Sequence, residues 1–223
     1  EGELGRDTDE TQHQVTLTRD FWIGKYEVTQ AQYKGLMGKN PTTYDGVGDH
    51  YPVCSVTWDD AMAFCGTLTE KERIAGHINS KWKYTLPTEA QWEYACRAGT
   101  TTALNSGKDL TGYKECSNLN DLGYYGNPSG ASYPVGGKKP NVWGIYDMHG
   151  NAWEWCLDWY GMTYYSSKEV TDPTGPSKGC FRVARGGSWR LYASRCRSAY
   201  RFCDRPDNGG YAKGLRVVLV RVL

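Results

Sequence analysis

The 223-residue sequence contains no apolar run of the roughly 18–20 residues that a membrane-spanning helix requires. It also contains no block of like charge, since 26 basic residues are mixed with 25 acidic ones and the formal net charge is +1. Clustered basic residues are what usually attract nucleic acid or an anionic lipid surface. We therefore expect no nucleic-acid partner and no membrane insertion by this chain.

The sequence also lacks the cysteine and histidine spacings of a zinc site. None of its eight cysteines belongs to a Cys-x-x-Cys pair, and its four histidines are scattered along the chain. Cys65 and Cys96 fall on apolar helix faces, where a free thiol packs as a small hydrophobic side chain. The number of cysteines therefore leaves the cellular compartment open.

Three helix starts are visible as capping boxes, in which a threonine is followed three residues later by Gln or Asp. They predict helices that begin after Thr29, Thr57 and Thr88, with Gly38 and Gly99 ending the first and the third. β-branched and aromatic runs predict strands, the first two of which form either separate strands or a hairpin. These runs are residues 15–17, 21–23, 82–86 and 217–220.

Residues 100–140 are rich in Gly, Asn, Tyr and Ser and show little periodicity. Disorder is one interpretation of such a stretch, but its several tyrosines favour packed loops. Short helices, long loops and strands toward both ends of the chain together predict an α+β fold. We expect one domain over residues 1–223, since this length suits a single core.

Residues 184–220 combine a regular frame with irregular positions. The frame consists of a Gly-Gly turn at 186–187, an Arg-Ser-Ala-Tyr-Arg block at 197–201, a Pro-Asp-Asn turn at 206–208 and a β-branched terminal run. A frame of this kind predicts a fixed fold that presents loops. The residues between its parts follow no helical or strand period, and they are Arg190, Leu191, Tyr192, Ser194, Arg195, Phe202, Cys203, Asp204, Gly209, Gly210 and Tyr211.

Four motifs, in an order that spans nearly the whole chain, resemble those of the formylglycine-generating-enzyme family, also called sulfatase-modifying factors. They read YEVT at 26–29, LPTEAQWE at 86–93, DMHGNAWEW at 147–155 and RGGSW at 185–189. The resemblance implies a C-type-lectin-type fold, in which the N- and C-terminal strands are paired and short helices pack on twisted antiparallel sheets.

The catalytic members of that family carry two cysteines just after the Gly-Gly-Ser turn, which bind copper and oxidise a substrate cysteine. In this sequence the second position is Cys196, but the first is Leu191, whose side chain can be neither a thiolate ligand nor a nucleophile. Cys203 does not restore the spacing, and Cys196 is expected to be a buried core thiol. We therefore expect no catalytic residues and no required cofactor, with a formylglycine-generating oxidase or a related enzyme as the alternative.

The frame at 184–220 also resembles the variable region of diversity-generating-retroelement proteins, which use this fold to display binding residues. The resemblance implies a non-catalytic, receptor-like or adhesin-like protein in which the eleven irregular residues bind ligand. It also implies a place at the cell surface or outside the cell, with a lipid anchor beyond this sequence as one means of attachment. The Tyr and Arg content favours a protein or peptide ligand over a small metabolite. An inactive family member whose loop has drifted is the competing interpretation.

The family resemblance further implies a structural calcium site. Its ligands would be the side chains of Asp147 and Glu154 and the carbonyl oxygens of Gly150 and Ala152, and oxygen donors of this kind suit a hard cation. The alternative is that the two carboxylates only accept hydrogen bonds from backbone amides of the loop.

Two sets of residues in the C-terminal part are expected to differ in burial. Four aromatic residues of the fixed motifs are predicted to be mostly buried: Trp153, Trp155, Trp189 and Tyr200. Four of the irregular residues are predicted to lie exposed, side by side on one face: Tyr192, Phe202, Asp204 and Tyr211. The alternative for the aromatic members of the second set is that they belong to the core, as aromatic residues near a terminal strand often do.

Overall fold

The computed structural model describes residues 2–43, 46–127 and 130–222, so that the two limits of the expected domain, residues 1 and 223, lie outside the described part. Its helices begin at the three threonines that the sequence predicts. In each capping box the threonine side chain accepts a hydrogen bond from the third helical residue, whose own side chain bonds back to the threonine amide. The helices are α1 (Gln30–Met37), α2 (Trp58–Ile74) and α3 (Glu89–Arg97).

The ends of α1 and α3 are set by residues in the left-handed conformation. Gly38 ends α1 as predicted, with φ at 75°. The end of α3 was predicted at Gly99, but Ala98 takes the C-cap position with φ at 46°, and Gly99 follows it with φ at 94°. Two residues with positive φ thus turn the chain here, and only the second of them is a glycine.

Short strands form small, curled sheets around these helices. In the residues that the structure describes, one sheet has the order β2, β9, β3, another the order β7, β6, β4, β8, and β1 pairs with β5 alone. The strands are β1 (Val15–Thr16), β2 (Phe21–Ile23), β3 (Trp82–Thr85), β4 (Trp153–Trp159), β5 (Val170–Thr171), β6 (Arg182–Arg185), β7 (Phe202–Asp204), β8 (Lys213–Gly214) and β9 (Val218–Arg221). The fold is α+β, as predicted.

The pairing of the terminal strands confirms one expectation and decides another. Strands β2 and β9 run antiparallel, with Phe21 opposite Val220, so that the N- and C-terminal strands are paired. The first two strands do not form the hairpin that was one of the two predictions, because β1 pairs in parallel with β5 and not with β2. The backbone amide of Thr18 donates to Asp172 at 2.8 Å, and this bond holds the end of β1 beside β5.

The apolar helix faces pack on the sheets and close the core. In α2, Ala61, Phe64 and Cys65 are buried and Leu68 is half-buried, as their helical spacing predicts. Trp92 of α3 is fully buried, together with Ala95 and Cys96 of the same face. Each large apolar side chain buried in this way stabilises the fold by about 1.5–3 kcal/mol.

Residues 100–127 and 130–140 form packed loops, as the tyrosine content of this stretch predicts. Their apolar side chains make a small core of their own that also contains Ala193 and Cys196 of the C-terminal segment. The loop members of this core are Ala103, Leu104, Cys116, Leu119 and Leu122. Across the described ranges, no helix combines the length and the apolar character needed to cross a membrane.

Candidate ligand-binding surface

Strand β6 leads into a tight glycine turn that starts the irregular segment. Gly186 and Gly187 both have positive φ, at 94° and 81°. A Cβ atom on Gly187 would lie 2.5 Å from Sγ of Cys196, so that a larger residue would collide with the core here. After the turn Trp189 is fully buried, and Arg190 is exposed to solvent. The turn therefore separates the frame from the first irregular residue.

The fixed aromatic residues hold this frame. Trp153, Trp155 and Trp189 are buried, as predicted. Tyr200 was predicted to be mostly buried but is only half-buried, because it lies between the core and the surface. Its ring centroid is 6.0 Å from that of Trp153 on the core side and 4.7 Å from the Arg195 guanidinium.

Charged and aromatic side chains of the irregular segment reach solvent. Tyr192 and Tyr211 are 46% and 58% exposed, as predicted. Arg190 is exposed, and its guanidinium lies 6.0 Å from the centroid of the Tyr211 ring. Arg195 is half-buried and forms an ion pair with Asp7 at 2.7 Å. Such aromatic and guanidinium groups are the ones that binding surfaces most often use.

Two residues that were predicted to be exposed belong partly to the frame. Phe202 and Asp204 are half-buried, because they lie in β7, which pairs regularly with β6. The Phe202 ring stacks on Trp153 with centroids 4.7 Å apart, and the Asp204 carboxylate accepts a hydrogen bond from the Lys213 ammonium. A regular strand therefore replaces the expected irregular loop at these positions.

The other irregular positions are less accessible than the tyrosines. Ser194, expected among the ligand-binding residues, is fully buried in a short 3-10 helix (Ala193–Arg195), where the backbone of Gly5 packs against it. Ser194 is therefore removed from the surface, and its burial corrects that expectation. Leu191, Cys203, Gly209 and Gly210 are half-buried.

The frame arginines are held by carboxylates, an arrangement that was not predicted from the sequence. Arg197 is fully buried and donates to both carboxylate oxygens of Glu10 at 2.7 Å. Arg201 donates to both oxygens of Glu89 at 2.7 and 2.9 Å. Bidentate pairs of this kind fix direction as well as distance. The available signal was the acidic start of the chain, with Glu or Asp at positions 3, 7, 9 and 10.

Asp158 of β4, which lies beside Glu89, makes the free energy of unfolding depend on pH. It is buried and accepts a hydrogen bond from the Glu89 amide at 2.8 Å. Burial, and then repulsion from the Glu89 carboxylate, raise the pKa of Asp158 from 3.8 to about 7. A carboxyl whose pKa is higher in the folded state than in the unfolded state lowers the free energy of unfolding as pH rises between the two values.

We therefore expect Asp158→Asn to gain stability relative to the wild-type protein as the pH rises from about 5 to about 8. The asparagine oxygen can still accept from the Glu89 amide, and the charge is gone. Urea unfolding at both pH values measures the change. The matched control is Asp207→Asn, an exposed carboxylate whose pKa is lowered by Arg205, and its relative stability should stay constant over this range. If Asp158→Asn kept the wild-type pH dependence, the prediction would be wrong.

A loop outside the irregular segment borders the surface. The backbone amides of Ala193 and Ser194 donate to the carbonyl oxygens of Lys114 and Tyr113, at 3.1 and 3.0 Å. Tyr113 was predicted to lie in a packed loop, but no sequence signal connected that loop with the surface. Only the tertiary fold brings these two segments together.

The cysteine expected from the enzyme pattern is a core thiol, as predicted. Cys196 is fully buried, and burial raises its pKa to about 12. Burial also raises the pKa of Cys203. Thiols with raised pKa values stay protonated at neutral pH and are weak nucleophiles and weak metal ligands. Within the described ranges, no three or more His, Cys, Asp or Glu side chains are grouped as a metal site.

Glu154, one of the four expected calcium ligands, is buried and already neutralised. The Arg216 guanidinium donates to both of its carboxylate oxygens, at 2.6–3.1 Å, and the Trp92 indole donates at 2.6 Å. A calcium ion bound at Glu154 would face the positive charge of Arg216. The residues therefore do not fit a calcium site that includes Glu154.

The loop that carries the other expected ligands, Asp147, Gly150 and Ala152, also makes hydrogen bonds to protein groups. Asp147 accepts a hydrogen bond from the amide of Gly136 at 2.6 Å, as the amide-capping alternative predicts, whereas Glu154 accepts from the side chains of Trp92 and Arg216. Glu27, which was not among the expected ligands, accepts from the amide of Ala152 at 2.8 Å. Burial, followed by repulsion from Asp147 and Glu154, raises the pKa of Glu27 well above its ordinary value.

Residues 1–221 match the family model of the sulfatase-modifying factor enzyme 1-like domain. The chain belongs to this family. Among curated relatives, it is 31% identical to a chaperone protein, LppX, of Paenibacillus barcinonensis over an alignment of 247 positions including gaps, which covers 92% of this chain and 81% of that protein. It is 36% identical over 177 residues to the formylglycine-generating enzyme of Streptomyces coelicolor, covering 75% of this chain but only 52% of that enzyme. The chain thus spans about half the length of this enzyme relative.

Among solved structures, the chain is similar to Treponema denticola variable protein 1. The TM-score is 0.81 and the sequence identity 29%, with 94% of this chain and 87% of that chain covered. The similarity over nearly the full length confirms the formylglycine-generating-enzyme-like fold and the resemblance to variable proteins.

Proposed function

We propose that this member of the family is a non-catalytic binding protein, and that the exposed side chains of residues 184–220 form its ligand-binding surface. The observation that carries the proposal is the division of this segment into a buried frame and solvent-exposed aromatic and cationic residues. Trp189 and Arg197 are fully buried, while Arg190, Tyr192 and Tyr211 are exposed. The similarity to a protein named variable protein supports the same function.

The frame of this segment is held firmly by buried hydrogen bonds. Arg197 and Arg201 are each tied by paired hydrogen bonds to a carboxylate, and Trp155 donates its indole hydrogen to the Val56 carbonyl at 2.9 Å. These contacts do not use the exposed side chains, so that the exposed residues can change while the backbone keeps its course. Tyrosines on a rigid backbone give large contact area at a small cost in side-chain entropy. A protein or peptide ligand suits such a surface, and we propose one as the partner.

We propose that a retroelement varies the exposed positions, and that the protein acts at the cell surface or outside the cell. A binding surface of varying sequence is useful where its binding partners also vary. This favours a location at the cell surface or outside the cell.

A formylglycine-generating oxidase or a related enzyme is the second candidate, because the chain is 36% identical over 177 residues to a formylglycine-generating enzyme. Against it stand Leu191 in place of a thiol and the raised pKa of Cys196. A lone buried thiol lacks the second soft ligand that copper(I) favours.

We expect the reduced protein to bind copper(I) weakly and to leave a Cys-x-Pro-x-Arg peptide unoxidised. Competition with a chromogenic copper(I) chelator measures the binding, and mass spectrometry of the peptide measures turnover. Leu191→Cys, which restores the pair of thiols, is the informative comparison and should bind copper(I) more tightly than the wild-type chain. Tight binding or peptide oxidation by the wild-type protein would favour the enzyme.

The binding proposal itself is tested with two display libraries of the chain. The first varies Arg190, Tyr192, Arg195 and Tyr211, and the second varies an equal number of exposed residues elsewhere, namely Lys83, Tyr94, Val142 and Trp143. Both are selected for binding to one pure protein, such as lysozyme. We expect folded, specific binders from the first library far more often than from the second. Equal yields, or general unfolding in the first library, would contradict the proposal.

A further inference from the structure

Lys114 and Tyr113 lie against the irregular segment although neither belongs to it. Their carbonyl oxygens accept hydrogen bonds from the amides of Ala193 and Ser194, so that the two backbones are locked side by side. Lys114 and Tyr113 are both exposed, the latter by 45%. The loop is also fixed from behind, because Cys116 is buried in the same small core as Ala193.

The side chains of the two segments interact as well. The Lys114 ammonium lies 5.3 Å from the centroid of the Tyr192 ring, within the range of a cation–π contact. Burial acts to lower the pKa of the Arg195 guanidinium, but interactions with Tyr200 and then with the nearby Tyr113 raise it. The two segments therefore present one continuous surface of aromatic and cationic groups.

The charge on this surface is not balanced locally. In the described part of the chain, no carboxylate lies within 4.0 Å of Lys114 or Arg190, whereas Arg195 is paired with Asp7. Each of these two cations has an exposed tyrosine ring beside it, Tyr192 for Lys114 and Tyr211 for Arg190. Cations without an internal partner are available to carboxylates of a ligand, and charge complementarity of this kind sets specificity and association rate.

We infer that Tyr113 and Lys114 are constant members of the ligand-binding surface, and that this surface selects an acidic segment of polypeptide. The inference rests on the proposed function and names its partner class. A polypeptide is favoured over a uniformly charged polyanion, because Lys114 and Arg190 each lie beside an exposed tyrosine ring, and a peptide can offer both carboxylates and apolar groups to such pairs. Tyrosine side chains also match the mixed apolar and polar surface of a peptide.

Lys114 gives the surface a cation that does not depend on what occupies the irregular positions. A surface that varies at positions such as 190 and 192 would keep this charge in every version. The constant loop would thus bias all versions toward acidic partners, while the varied residues choose among them.

The test uses the full chain and three matched sets of synthetic peptides that share their aromatic and aliphatic residues. One set carries Glu and Asp, one Ser and Asn, and one Lys and Arg, and heparin is the polyanion control. We expect binding to the acidic set, weakened by salt. Lys114→Glu should reduce the affinity for the best acidic peptide roughly tenfold, because a like charge replaces an attractive one. Lys83→Glu, a change of the same kind at an exposed residue of β3, should leave the affinity unchanged.

The outcomes separate this inference from the proposed function. If Tyr192→Ala and Tyr211→Ala weaken peptide binding but Lys114→Glu does not, the surface binds ligand and the constant loop is not part of it. Preference for the neutral or basic set, binding to heparin alone, or no peptide binding at all would overturn the acidic partner. The two display libraries would still decide the proposed function. Thermal unfolding of each variant identifies any loss that comes from misfolding.

Discussion

Arg216→Met is expected to destabilise the protein by about 3–5 kcal/mol, since removing one partner of a buried ion pair leaves an uncompensated charge. Arg216 is fully buried and makes three hydrogen bonds to the Glu154 carboxylate. It also donates to the carbonyl oxygens of Gly24 and Tyr146, each at 2.9 Å. One side chain therefore connects the start of the chain, the central loop and strand β4.

The loss should be large because further acidic groups lie nearby. Glu27 and Asp147 both interact electrostatically with Arg216, and burial is the main cause that raises the pKa of each. Without the guanidinium, three buried carboxyl groups would face one another, and protonation or water entry would have to relieve the repulsion. Chemical denaturation with fluorescence detection measures the loss.

Two further variants serve as comparisons for Arg216→Met. Adding Glu154→Gln to Arg216→Met should recover part of the lost stability, because it removes the unpaired charge. Arg205→Met, in an exposed ion pair with Asp207, should have little effect. A loss for Arg216→Met as small as that for Arg205→Met would show that the central cluster is not held by this ion pair.

Trp155→Ala is expected to cost about 3–5 kcal/mol, whereas Tyr192→Ala and Tyr211→Ala should each stay within about 0.5 kcal/mol. Trp155 is fully buried, and its indole nitrogen donates to the Val56 carbonyl. Its removal would leave a large cavity and an unsatisfied carbonyl group. Tyr192 and Tyr211 are 46% and 58% exposed, so that little packing is lost with either.

Phe202→Ala should destabilise the protein by an intermediate amount, about 1–3 kcal/mol. The substitution removes a half-buried ring together with its stacking contact. The ring of Phe202 stacks on Trp153 in the structure. A urea denaturation scan of the four alanine variants gives all of these values in one experiment. Losses for Tyr192→Ala or Tyr211→Ala that matched the loss for Trp155→Ala would place the exposed surface in the core.

The local parts of the fold could be predicted from the sequence, because their causes are local. The capping boxes at Thr29, Thr57 and Thr88 start helices wherever the following residues allow them. The glycine turn and the buried tryptophans of the fixed motifs could be predicted for the same reason. The motifs also led to the fold, through their resemblance to a family.

Contacts between distant segments could not be predicted in the same way. Arg197 pairs with Glu10, almost the whole chain away, and no periodicity in the sequence links them. The pairing of β1 with β5 depends on a similar long-range contact at Asp172. The place of Ser194 between fixed motifs predicts exposure, but its burial depends on what packs against it from elsewhere in the chain.

Whether the exposed residues vary on a fixed frame is tested most directly by deep sequencing in a growing cell population. The sequenced DNA is the coding region for residues 184–220 and the DNA around it. We expect a second, near-identical copy of this stretch that differs at adenines, close to a reverse-transcriptase gene. Among cells, codon changes should concentrate at exposed positions such as Arg190, Tyr192 and Tyr211 and spare the buried Trp189 and Arg197. A single invariant copy, or changes spread equally over buried and exposed codons, would contradict a variable binding surface on a fixed frame.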